Sequence, residues 1–396
     1  MAANNLTFEQ SAAFLTDLYE QASGQKPSIS VIDTSSFVTV AQATLKTGYD
    51  NVISSISQVL SRTIFAVRPY NAKFAGINVD AEKWGAIVRK INFVDGDLED
   101  DDRLPLTDGG SVDPWEINKP KVLQTNFYGG GVYQRHVTIF KDQLDVAFGG
   151  PAEFGQFIAG VMQNIMNQFE QIREAESRAA LANFITGKAT GDSGNVINVL
   201  QEYYNETGTE LSPATMYSDT NFVAFAKWLY GYINGLTQKL SERTTKYHIN
   251  VTNKEIHRHT PADRLKAYMS ARALNNIDSV ALPTIFGADR LRMIDFEPVV
   301  FWQNIDDPEK VIAKPTYLAS DGSLTTAGSN VTVSNIVGVL FDEDALGLTT
   351  INEWSMETPM NPRGGYSNIF WHRTHRSWND FTENGIVLIA DTVTTA

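Results

Sequence analysis

Between Pro151 and Thr186 the chain carries one uninterrupted apolar stripe, and no other feature restricts its fold so strongly. Phe154, Phe157, Ile158, Val161, Met162, Ile165, Met166, Phe169 and Ile172 follow at spacings that keep them on a single helical face. Ala175, Ala179, Ala182 and Ile185 continue it. Pro151 stands where proline is favoured, in the first turn of a helix, behind Gly149 and Gly150. The pattern predicts one helix ending before Gly187, roughly 50 Å long at the usual rise per residue. That is longer than an ordinary globular helix. Such an element acts as a spine along which the rest must pack.

The chain has 396 residues and is 42% hydrophobic, enough for a large core and for two or three compact domains. Charged residues make up 20%, which excludes wholesale disorder. No apolar run approaches the roughly 20 residues that span a bilayer. Met1-Ala2-Ala3-Asn4-Asn5 lacks the basic start and apolar stretch of a secretory signal, so synthesis and folding in a cytosol are expected. The absence of cysteine rules out disulfides, thiolate metal sites and cysteine nucleophiles. A formal net charge of -14 opposes tight nucleic-acid binding, which rests on Lys and Arg displacing counterions. The same charge permits a container wall that should not grip DNA, but many soluble enzymes are equally acidic, so it does not discriminate between them.

Ahead of the spine, Phe8 to Ser23 and Val38 to Leu60 have helical spacing, and Thr63 to Arg68 reads as a strand. From Ile91 to about Phe127 the texture changes. Asp95, Asp97, Glu99, Asp100, Asp101 and Asp102 crowd together, and Pro105, Gly109, Gly110, Pro114 and Pro120 follow. Little here can form a core. After Gly129-Gly130-Gly131, Tyr133 to Phe140 reads as the strand returning from this excursion, so that the whole forms a long two-stranded arm. A projection of this size loses chain entropy without recovering burial unless a neighbouring subunit covers it.

Behind the spine, Asp219 is placed to cap a helix through Leu236, and Pro261 to open another through Leu265, Tyr268 and Met269. Thr284 to Phe286, Arg292 to Ile294 and Val299 to Trp302 read as short strands, completing a compact α+β region. Val331 to Val333, Ile336 to Phe341, Tyr366 to Trp371 and Ile386 to Ala390 read as further strands, expected against the spine.

Candidate chemistry is thin. Counted from Asp95, an EF-hand loop would need Gly and a carboxylate where Asp100 and Leu106 stand. His257 with His259, and His372 with His375, lack an acidic partner at a metal-binding spacing. Gly129 to Gly131 matches no phosphate-cradling loop and reads as a pivot in the arm. There is no GxSxG elbow. Seven Trp, 14 Tyr and 21 Phe are not interleaved with basic residues, which favours core and subunit interfaces over base stacking. No catalytic, metal-binding or cofactor-binding residue is nominated.

One segment is more specific. Glu357-Thr358-Pro359-Met360-Asn361-Pro362-Arg363-Gly364-Gly365-Tyr366 precedes an aromatic strand and carries a turn signal, with a Glu and an Arg able to pair within or between subunits. The pattern Glu-Thr-x-x-Asn-Pro-Arg-Gly-x-Tyr resembles that of major capsid proteins from short-tailed phi-29-like phages. Gly131 to Gly187 resembles the family's arm return and spine helix, linked through Lys141-Asp142-Gln143-Leu144, and Phe37 to Asp95 its N-terminal arm and first strand. The resemblance is weakest from Gly191 to Val331.

The resemblance implies an α+β chain of the Hong Kong 97 capsid fold. Its parts would be an N-terminal arm (1–65), an extended loop with flanking strands (66–150), and a peripheral domain built on the spine helix (151–190) and C-terminal strands (336–396). An axial domain (191–335) would complete it. Such a chain is not an enzyme; it assembles into pentamers and hexamers of an icosahedral or prolate head around double-stranded DNA, with a portal at one vertex. With no room for a scaffolding region ahead of the arm, a separate scaffolding protein is expected. Candidate inter-subunit contacts are Asp95, Asp97, Glu99, Asp100, Asp101, Asp102, Glu357 and Arg363, and candidate hinges Gly129, Gly130 and Gly131. The rivals are an encapsulin-type nanocompartment shell, which shares the fold, and an acid-rich metallohydrolase.

Overall fold

The computed structural model describes residues 7–62, 73–79, 87–94, 101, 106–113, 115, 117, 119, 121–128, 130–284 and 296–394. Its spine, α5 (Pro151–Gly191), spans 41 residues, about 60 Å at the α-helical rise. It does not stop before Gly187. A Cβ at that position would run into the Phe381 ring, so this glycine lets an aromatic side chain seat directly on the helix. The end comes at Asp192, whose carboxylate takes up the Lys188 ammonium at 2.8 Å.

Three helices cover the first half of the spine: α1 (Phe8–Ser23), α2 (Thr34–Leu45) and α3 (Tyr49–Arg62). Thr7 and Gln10 form a reciprocal capping box on α1, and Asp33 caps α2. The single helix expected from Val38 to Leu60 is broken in two, because Gly48 sits at φ +104, outside any helical conformation. Phe14, Leu15, Phe37, Ile53, Phe154 and Ile158 meet in one core there.

The arm is β1 (Ile87–Phe93) paired antiparallel with β2 (Val122–Tyr128), Ile87 opposite Tyr128 and Phe93 opposite Val122. The returning strand is therefore β2, not the segment from Tyr133. That segment is β3 (Gly131–Phe140), which runs into α4 (Lys141–Ala147) and the spine. Thr63 to Arg68 lies outside the described residues.

After the spine come β4 (Val196–Asn198), α6 (Val199–Thr207) and α7 (Phe222–Ser241). The N-cap position of α7 is Asn221, two residues past the expected Asp219. Next is β5 (Leu265–Ser270), where a helix opened by Pro261 was expected. Leu265, Ala267, Tyr268 and Met269 are all buried, and a short run covered on both faces has no period to separate strand from helix. Then follow α8 (Ala271–Thr284), β6 (Glu297–Val299), β7 (Val311–Ala313), β8 (Thr316–Leu318), β9 (Leu324–Thr326) and β10 (Val331–Val333). The last strands are β11 (Ile336–Asp342), β12 (Leu346–Glu357), β13 (Tyr366–Asn379) and β14 (Gly385–Ile389). Thr284, expected to open a short strand, is the last residue of α8; residues 285–286 and 292–294 lie outside the described residues.

Two main sheets organise these strands. One has the order β4-β14-β11-β5-β6, the other β12-β13-β3, with Gly131 of β3 opposite His375 of β13. The C-terminal strands thus divide: β12 and β13 lie along the spine, whereas β11 and β14 pair with β5 and β4. A boundary at residue 335 separates strands that hydrogen-bond to each other. One face of the five-stranded sheet packs on α6, α7 and α8 through Leu200, Leu229, Ile233 and Leu340. The other packs on the second half of the spine through Phe184, Phe341, Val339 and Phe381.

Candidate assembly surfaces

The arm presents apolar side chains to solvent. Phe93 is 70% exposed, Ile91 51% and Trp115 84%. Leu106, Val112, Ile117 and Val122 are exposed as well. A two-stranded ribbon is marginal in water by itself, and this one turns large apolar groups outward. Of the acidic run, Asp95, Asp97, Glu99, Asp100 and Asp102 lie outside the described residues; Asp101 is exposed.

Gly129 also lies outside the described residues. Gly130 and Gly131 sit in close packing: a Cβ on Gly130 would lie 2.7 Å from the His375 carbonyl oxygen, and one on Gly131 would lie 2.7 Å from Glu176 Oε1. A side chain at either position would collide.

The Asn-Pro-Arg-Gly segment is a built turn. The Asn361 side-chain oxygen accepts the backbone N–H groups of Arg363 and Gly364 at 2.9 and 3.1 Å. Gly365 adopts φ +62, and a Cβ on Gly364 would run into the Tyr366 ring. The backbone N–H of Met360 donates to Asp50 Oδ1 of α3 at 2.7 Å, and that of Lys141 to the Gly365 carbonyl at 2.8 Å. The turn therefore joins the N-terminal helices to the sheet over the spine. Glu357 closes β12 opposite Ile369, and Arg363 stands exposed on the turn. Among the described residues the two form no ion pair with each other.

An ionic cluster of two buried carboxylates and two partly buried cations sits where the middle of β1 meets the body. Lys90 Nζ of β1 lies 2.8 Å from Asp380 Oδ2 and 2.6 Å from Glu383 Oε1, and Arg258 lies 2.9 Å from the same Glu383 oxygen. Burial would lower the Lys90 ammonium, but Asp380 and Glu383 hold it above its ordinary value. Burial also raises the Glu383 carboxyl against the pull of Lys90 and Arg258. None of these residues was a sequence candidate. Asp380-Phe381-Thr382-Glu383-Asn384 reads as a polar surface loop, and nothing in its spelling says that it is buried.

The histidines have structural surroundings. His372 stacks on Trp354, ring centroids 3.8 Å apart, and His257 and His259 flank Arg258. His375 is buried beside Thr350, 3.2 Å away, and burial, with Arg373 and Arg173, pushes it down to about 4. Among the described residues, no group of three His, Cys, Asp or Glu could hold a metal ion, and no helix is long and apolar enough to cross a membrane.

A spine helix flanked by two sheets, with an outlying apolar ribbon, is the arrangement expected of a shell subunit. The sequence model of the Phi29-like phage major capsid protein family matches residues 16–389. The chain belongs to that family. Its fold resembles a chain in the capsid structure of Staphylococcus phage Andhra, with a TM-score of 0.56 at 9% identity over 83% of this chain and 86% of that one. A chain in the structure of head fiber and inner core protein gp22 of native bacteriophage P68 gives 0.53 at 12% identity over the same shares. At these identities the likeness carries shape and no residue roles. No curated protein matches the sequence. This Phi29-like subunit is thus a major capsid protein of Hong Kong 97 type, a structural component of the virion that self-assembles into the capsomers of a shell. Nothing among the matches supports the encapsulin alternative.

Proposed function

We propose that the subunit forms the pentamers and hexamers of an icosahedral or prolate head enclosing double-stranded DNA, and that the arm is its grip on neighbouring copies. The observation carrying this is the ribbon of β1 and β2, whose Phe93 and Ile91 are left in water by the subunit's own body. Covering such groups is the main driving force for association. The acidic run from Asp95 to Asp102, with Glu357 and Arg363, would set contacts between subunits by charge. Any pivot at Gly129 to Gly131 must open the pairing of Gly131 with His375.

A scaffolding protein would guide assembly in the host bacterial cytoplasm, and a portal would occupy one vertex. The head would hold DNA without reading it, in keeping with a net charge of -14. Its work is mechanical; no cofactor or catalytic step enters. Deleting residues 97–110 tests the grip. The variant should keep the subunit's unfolding transition and give fewer, weaker shells by electron microscopy and pressure or heat release of DNA. Normal shells of normal strength would end the proposal.

A further inference from the structure

We propose that the loop between β13 and β14, Asp380–Asn384, is a buried polar hub that latches the arm to the body through Lys90, so that losing this one ammonium lets the arm swing.

Connecting loops normally run over the surface, because their polar groups need water. Here Asp380, Phe381, Thr382, Glu383 and Asn384 are consecutive and all buried. Together they reach four parts of the molecule. Asp380 and Glu383 meet Lys90 of the arm. Glu383 also meets Arg258, whose Nε donates to the Thr382 carbonyl at 3.1 Å. Phe381 stacks on Phe184 of the spine, centroids 5.7 Å apart, and its carbonyl accepts the Ile249 N–H at 2.8 Å. Asn384 lies 3.1 Å from His248 Nδ1 and donates to Thr260 Oγ1 at 3.2 Å. Thr260 in turn donates to Asp342 Oδ2, at the end of β11, at 2.9 Å. Arm, spine, the segment around 244–260 and the central sheet thus converge on five residues.

Among the described residues, only Lys90 brings the arm into this hub. Without it, Glu383 would keep only Arg258, and Asp380 only its hydrogen bonds from Thr382 and the more distant charge of Lys188, whose ion pair is with Asp192. A buried charge stripped of its partner is strongly unfavourable. The charge requirement of the body is therefore what holds the arm at this hub. The arm's other contact at this level is looser: Phe127 of β2 lies with its centroid 6.4 Å from that of Trp378. Between ribbon and body runs an open cleft lined by Thr125, Phe127, Ala180, Asn183, Leu324 and Trp378. The cleft is room into which an unlatched arm can move. The latch bears on shells only through the arm's proposed grip, but it is a property of the single chain and is measured there.

Because the chain has no cysteine, two introduced thiols are the only ones present. Spin labels at Gln124→Cys on β2 and Asn205→Cys on α6 report the arm-to-body distance by electron–electron double resonance in the full chain, diluted with unlabelled protein. The parent should give one narrow distance population. Lys90→Met should broaden it severalfold, and Lys90→Arg should keep it narrow. Should Lys90→Met fail to fold, the double variant with Asp380→Asn removes the carboxylate left without an ion pair, keeps Glu383 on Arg258, and should also broaden it. A distribution as narrow as the parent's in the folded Lys90→Met or double variant overturns the latch. That outcome leaves the grip standing, whereas normal shells from the 97–110 deletion would remove the grip and leave the latch.

Discussion

Strand β11 and the ribbon of β1 and β2 are spelled alike and live in opposite surroundings. Ile336 to Asp342 is buried at all seven positions, with β14 hydrogen-bonded on one side and β5 on the other. In the ribbon each strand has one partner, and Phe93, Ile91 and Val122 face solvent. Both carry the β-branched and aromatic residues that favour strands. The difference is who supplies the cover. For β11 it is this chain; for the ribbon, under the proposed grip, it is another copy. The stability of the free subunit and the stability of the shell should therefore respond to different residues.

The largest expected effect is at the centre of the body. Phe341 is fully buried and stacks on Tyr268, with Phe184 at 5.8 Å. Phe341→Ala should cost about 3–5 kcal/mol, since truncating a buried ring loses its transfer energy and leaves a cavity. Denaturant unfolding of the free subunit measures it. A loss comparable to that of an exposed residue would erase the contrast.

His375 tests the seam where the arm runs into the sheet, opposite Gly131. Its neutral form is the one the fold accepts, because burial and then Arg373 and Arg173 depress it from 6.5 to about 4. The unfolded chain binds this proton at a higher pH than the folded chain does. The contribution is thus fully present above about pH 6.5 and is lost as pH falls toward about 4, worth about 3 kcal/mol across that window. Unfolding scans in this range should show a shallower pH dependence for His375→Gln than for the parent. Identical slopes would remove His375 as the cause.

Gly187 sharpens the contrast between spine and arm. Alanine is ordinarily the better helix residue, by about 1 kcal/mol. Here its Cβ meets the Phe381 ring, and overpacking costs about 1–3 kcal/mol. Gly187→Ala should therefore lower the unfolding midpoint despite its helix propensity. A raised midpoint would mean that the ring moves aside freely.

How much of this was legible follows from which forces act locally. The spine's face was readable from Phe154 to Ile185 because a helical stripe is a periodic, local signal. Its end was not, since Gly187 answers to Phe381, almost two hundred residues away. The turn at Asn361 was readable because its side-chain-to-backbone bonds and its positive-φ glycine are local chemistry. β5 was read as a helix because burial on both faces removes the period. The ionic cluster escaped notice for a stronger reason. Lys90, Arg258, Asp380 and Glu383 come from three distant stretches and look individually like surface charges; only the topology brings them together.

The smallest effect on the free subunit is the one that bears most on the comparison. Phe93 is 70% exposed, so Phe93→Ala removes a ring that is already mostly in water. The unfolding free energy should change by no more than about 0.5 kcal/mol. In a shell, burying that ring against a neighbour would contribute about 1.5–3 kcal/mol at every copy, and the repeated loss should lower assembly yield and shell melting together. Measured side by side, Phe341→Ala should fail as a subunit and Phe93→Ala only as a shell. If Phe93→Ala weakened the free subunit as Phe341→Ala does, the ribbon would have its cover within the chain. If it left assembly untouched, the ribbon's apolar face would not be where copies meet.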